Sequence, residues 1–171
     1  TKKYLLVGAL ILSLSPPAIA QNDSYKAALN PIISAIEAAP NDVNAGKDLI
    51  KDYLKTYKKD EQALTALGNV YLAQRNFAEA MKIANSIVSN KKMNGTLGYL
   101  LLGDIVALQD SVGNAGAAAQ NYATAISLDP HNVAAYERYA KVYRHVNPQV
   151  SVQKLEELRQ VEPNYPVEAT A

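Results

Sequence analysis

The chain has 171 residues, 49% of them apolar, with no cysteine and no tryptophan. Its 17 basic and 16 acidic side chains nearly cancel, so charge balance gives no reason to expect nucleic acid or an anionic membrane surface as partner. Without cysteine, disulfide staples and thiol nucleophiles are excluded, and the core must be sufficient alone.

The first element is an N-terminal leader. Lys2 and Lys3 precede an apolar run from Tyr4 to Leu14, which Ser15-Pro16-Pro17 breaks ahead of Ala18-Ile19-Ala20. A positive start, a short apolar stretch and Ala-x-Ala read as a signal peptide over residues 1–20, cleaved after Ala20. The run is shorter than the ~20 residues that span a bilayer, so no stable membrane insertion is expected after cleavage. No cysteine near the cut offers a lipid attachment point. Loss of Lys2 and Lys3 leaves 15 basic against 16 acidic side chains. An exported chain with no cysteine and a dilysine leader points to a bacterial product in the periplasm or secreted.

Residues 21–171 read as one helical repeat domain. The pairs Leu67-Gly68, Leu102-Gly103 and Tyr139-Ala140 recur at spacings of 35 and 37 residues, each followed three residues later by Tyr71, Val106 or Tyr143. Self-similarity at about 34 residues marks stacked helix–turn–helix units that bury their apolar faces against neighbours. Four units follow, at about 27–60, 61–95, 96–132 and 133–166. In the first, which is divergent, Ile33-Ser34 stands for the small pair and Val43, Gly46, Ile50 and Tyr53 for the second stripe. Pro31 there either opens a helix capped by Asn30 or kinks one begun near Ser24. The second unit carries Leu64, Leu67, Gly68 and Tyr71 on one helical face, a turn at Gln74-Arg75-Asn76, and Phe77, Ala80, Ala84 and Ile87 on the answering one. The third has Tyr99, Leu102, Gly103 and Val106, a longer turn from Gln109 to Ala115, then Ala118, Tyr122, Ala125 and Leu128. Tyr136, Tyr139, Ala140 and Tyr143 hold the fourth unit's first helix, and Ser151, Leu155, Leu158 and Val161 its second. No polar capping helix follows, so the Leu155–Leu158 region is expected to be partly bare. That favours further repeats, a partner, or self-association through this face.

The succession large apolar, Leu-Gly, Tyr, Phe-x-x-Ala, Ala and closing Pro resembles tetratricopeptide (TPR) repeats over roughly residues 27–165. The resemblance implies an all-α fold, a right-handed superhelical solenoid of antiparallel helix pairs whose first helices line a concave groove. It also implies that groove residues fall at about the second, fifth, ninth and twelfth positions of each unit. The candidates for partner contact are therefore Thr65, Asn69, Leu100, Asp104, Glu137, Lys141 and Arg144, with Leu72 and Ala107 also on this face. Asn69, Asp104 and Lys141 occupy equivalent positions and should form a polar row. The carboxylate clamp of some cytosolic TPR domains is not reproduced, because Asp104 and Glu137 would repel an anion.

No catalytic constellation is legible. His131 and His145 are the only imidazoles, and neither a zinc-ligand spacing nor a Gly-rich phosphate loop occurs. His131 reads as a turn residue, and His145 as a helix-end cation or, alternatively, a groove contact. Tyr136, Tyr139 and Tyr143 match core spacing, with an aromatic binding platform as the alternative, while Lys47, Lys51, Lys55, Lys58 and Lys59, interleaved with Asp48, Asp52 and Asp60, read as a solvated face, with contact to an anionic polymer or lipid headgroups as the alternative. The expected function is an exported, non-enzymatic protein–protein interaction scaffold holding a peptide or helix in its groove, without cofactor or metal. The alternatives are a glycan or envelope-polymer binding module of the periplasm, and the N-terminal regulatory part of a longer protein.

Overall fold

The computed structural model describes residues 23–166. The expected leader lies outside them. Among the described residues the secondary structure is eight α-helices: α1 (Ser24–Ala38), α2 (Lys47–Tyr57), α3 (Glu61–Ala73), α4 (Phe77–Val88), α5 (Thr96–Gln109), α6 (Ala115–Leu128), α7 (Val133–Tyr143) and α8 (Pro148–Val161). The fold is all-α, and each helix packs on its chain neighbours, with α3 also against α5 and α1 also against α3. No described helix is long and apolar enough to cross a membrane.

Local chemistry sets the helix ends. Asp60, Asn76 and Asn132 accept the N–H groups of Ala63, Glu79 and Ala135 at 3.0, 3.3 and 3.1 Å, which caps α3, α4 and α7. Between α3 and α4, Arg75 adopts a left-handed φ of 55°. There the Asn76 N–H donates to the Tyr71 carbonyl and the Arg75 N–H to the Leu72 carbonyl, so the freed carbonyls are satisfied and the chain turns back in three residues. Pro148 opens α8 at its first turn, where a missing N–H is harmless. Helix α5 has no side chain at its N-cap position, which Gly95 occupies at φ 89°. Its first N–H groups are held from two sides: Asn94 Oδ1 accepts from Thr96 at 3.2 Å, and the Glu61 carboxylate of α3 accepts from Gly95 and Leu97 at 3.2 and 3.0 Å.

Three buried clusters run along the chain. The first extends from Tyr25, Leu29 and Ile32 through Tyr53, Leu64, Leu67 and Ile87 to Leu101 and Ile105 of α5. The second joins Leu100 of α5 to Ala118, Tyr122 and Ala125 of α6 and Ala135 of α7. The third packs Tyr136 and Ala140 of α7 on Leu155 and Leu158 of α8. Small residues permit these approaches. A Cβ on Gly68 would stand 2.4 Å from Leu101 Cδ2, and one on Gly98 would stand 2.7 Å from Ile87 Cγ2.

Of the two placements open for Pro31, the helix begun near Ser24 is the one found: Pro31 lies inside α1, and Asn30 is not its cap. Other expectations need correction. The buried face of α1 is Tyr25, Leu29 and Ile32, while Ile33 is half-buried and Ser34 exposed. Val43 is 96% exposed in the connection before α2, and Leu128 at the end of α6 is also exposed. The Leu155–Leu158 region is not bare: both leucines are buried against α7, with Val161 and Tyr165 partly covering them.

Candidate functional site: a cleft between α5 and α7

The site begins with Gly103. Without a Cβ there, the Tyr122 ring of α6 lies directly on α5; a methyl group would stand 2.3 Å from its Cε1. This places the phenol beside the next residue, and Tyr122 Oη donates to Asp104 Oδ1 at 2.7 Å. The other oxygen of Asp104 faces Arg138 Nη1 of α7 at 3.3 Å. A Gly-Asp pair on one helix thus ties together three helices. Burial pushes the Asp104 carboxyl above the usual carboxylate range, against the opposing pull of Arg138, the Tyr122 hydrogen bond and Lys141. Burial, and the Asp104 charge beside it, push the Tyr122 phenol up.

Above this triad opens a cleft of about 580 Å³. Leu72 of α3, Ala107 and Leu108 of α5 and Val142 of α7 form apolar walls. The connection after α5 adds Ser111 and Val112, and that after α7 adds Arg144, His145 and Val146. Lys141 lies at the rim with Arg144, both exposed.

The predicted groove residues divide accordingly. Asp104, Lys141 and Arg144 meet at the cleft, together with Leu72 and Ala107. Leu100 does not: it is 3% exposed in the second core cluster, packed with Ala118, Tyr122 and Ala125 of α6 and Ala135 of α7. Thr65 is half-buried, its hydroxyl donating to the Glu61 carbonyl at 2.7 Å, and Asn69 is exposed on α3; neither lines the cleft. Glu137 lies outside it as well, accepting from Tyr165 Oη at 2.9 Å. The row of Asn69, Asp104 and Lys141 is therefore interrupted at its first member. Among the cleft residues that were missed are Arg138, Leu108, Val112 and Val146. A signal existed for the last two, since an apolar residue in a turn otherwise made of Asp, Ser, Gly and Asn, or of Arg, His and Asn, has no core to enter.

The remaining candidates are placed elsewhere. His131 Nδ1 lies 2.9 Å from Glu162 Oε1, linking the connection before α7 to the end of α8. Tyr136 is buried and donates to the Pro130 carbonyl at 2.9 Å, while Tyr139 stacks between Tyr143 and the Lys154 ammonium. The five lysines around α2 are exposed and form no ion pair among the described residues. No set of three or more potential metal ligands is gathered among the described residues. Neither a protein-family model nor a curated protein matches the chain.

Proposed function

We propose that the chain is an exported, non-catalytic interaction scaffold built as a TPR-like right-handed solenoid, and that it holds a peptide or helix of a partner protein in the cleft between α5 and α7. One observation carries this reading. Leu108, Val112 and Val146 are 44%, 69% and 46% exposed, and all three converge on one concavity rimmed by cations. Contiguous exposed apolar surface is uncommon on a monomer and marks interaction sites. The cleft's single carboxylate is held by Tyr122 and Arg138, an arrangement suited to holding shape rather than to moving protons. Export rests on the leader composition, and the repeat architecture rests on the 35- and 37-residue recurrence of Leu67-Gly68, Leu102-Gly103 and Tyr139-Ala140. An envelope-polymer reading is less well supported, because Tyr136 and Tyr139 are engaged in packing rather than presented as a platform.

The test is a photo-reactive phenylalanine analogue at position 112, activated in intact cells that express the chain. A discrete protein adduct, identified by mass spectrometry and lost when the analogue is moved to exposed Gln120 on α6, is the expected result. Adducts to glycan alone, or equal labelling from both positions, would overturn the reading.

A further inference from the structure

Resting on that reading of the cleft, we infer that its partner is an acidic amphipathic segment, seated with its apolar face on Leu108, Val112 and Val146 and its carboxylates on Lys141 and Arg144. The cations around the cleft are not equivalent. Arg138 is neutralised by Asp104 at 3.3 Å, and Asp104 is further held by Tyr122. Lys141 and Arg144 form no ion pair among the described residues and are exposed. They lie three positions apart at the end of α7, so they present charge at roughly the interval of one helical turn. Carboxylates at the same interval on a partner helix would meet them while leucine-type side chains three or four positions apart enter the cleft. The volume of about 580 Å³ suits a few such anchors. A basic segment would be repelled by the two exposed cations. An uncharged one would leave both unmatched at the edge of an apolar contact.

The probes are three synthetic 14-residue helical peptides with the same leucine spacing, carrying Glu, Gln or Lys at the flanking positions. Binding to the full chain is read by fluorescence anisotropy, and position by amide chemical shifts. The Glu peptide should bind about tenfold more tightly than the Gln peptide, weaken as salt is raised, and shift Leu108, Val112, Val142 and Val146. The double variant K141E/R144E, on exposed positions and with its helix content checked, should invert the order in favour of the Lys peptide. Gln or Lys peptides seated in the cleft as tightly as Glu would overturn the charge assignment while leaving peptide binding intact. A cleft filled by decanoate and by none of the peptides would overturn the acidic segment, and the photo-adduct from position 112 would then decide the broader reading separately.

Discussion

At Gly103 a single missing methyl group determines where the Tyr122 ring, the Asp104 carboxylate and the Arg138 guanidinium can meet. Gly103→Ala places a Cβ 2.3 Å from Tyr122 Cε1, and the ring cannot retreat without losing its hydrogen bond to Asp104. We expect a loss of about 1–3 kcal/mol in urea unfolding, the usual range for overpacking. Gly116→Ala is the control: its nearest neighbour is Tyr143 Oη at 4.0 Å, so helix propensity should leave it neutral or stabilised by up to about 1 kcal/mol. Asp104 yields a second prediction. Its carboxyl titrates above the ordinary range because it is buried, so the folded chain holds that proton more tightly than the unfolded one. The site's contribution to stability is therefore greatest at acid pH and declines as pH rises from the usual carboxylate range through the folded value. Asp104→Asn keeps an oxygen for Tyr122 but removes the titration. The stability of the native chain relative to this variant should be higher at pH 3.5 than at pH 7; no change in that difference would show that Arg138 fully offsets the burial. Gly103 was legible in the sequence as a close-contact point. Arg138 was not, because its role depends on a carboxylate on another helix that only packing brings near.

Among the elements, α5 depends on a cap that its own sequence supplies only in part, since Asn94 accepts from Thr96 alone. Glu61 stands 34 and 36 residues before the two N–H groups it accepts, so the interaction ties the start of α3 to the start of α5. Glu61→Ala should destabilise the chain by about 0.5–2 kcal/mol, as other cap losses do, and should raise amide exchange selectively in the first turn of α5. Exchange raised in α3 alone would assign Glu61 to its own helix instead. From α3 onward the sequence punctuates itself well: Asp60, Asn76, Asn132 and Pro148 cap or open helices where polar or Pro residues interrupt apolar runs. Helices α3, α5 and α7 open at Glu61, Thr96 and Val133, the residues from which the repeat reading starts its second to fourth units. The α1–α2 region misled because Val43 looks like a core residue yet belongs to a connection, whereas a helix begun near Ser24 with Pro31 inside it was one of the two readings open from the sequence. Leu100 was misplaced for a different reason. Helix α5 presents Leu101 and Ile105 to one cluster and Leu100 to another, and a helix buried on two faces has no amphipathic pattern from which to pick the third.

For the whole molecule, the consequence of three linked clusters is graded rather than uniform stability. Helix α5 belongs to the first and second clusters and α7 to the second and third, whereas α8 contributes only to the third. A helix held by one small cluster opens more readily than helices that share a larger one. Amide exchange should therefore be slowest in α3 to α5 and faster in α8, whose partners are Tyr136, Ala140 and the covering Val161 and Tyr165. Leu158→Ala removes a fully buried side chain from this last cluster and should lower its stability by about 2–5 kcal/mol. Its effect should stop short of the first cluster: α8 amides become unprotected, α3 to α5 amides keep their rates, and the cleft loosens only as far as α7 depends on α8. If instead every helix loses protection together, the eight helices form one cooperative unit. The cleft could then not be held by α5 and α6 on one side while α7 and α8 yield on the other. Comparing exchange in the native chain and in Leu158→Ala, helix by helix, separates these outcomes.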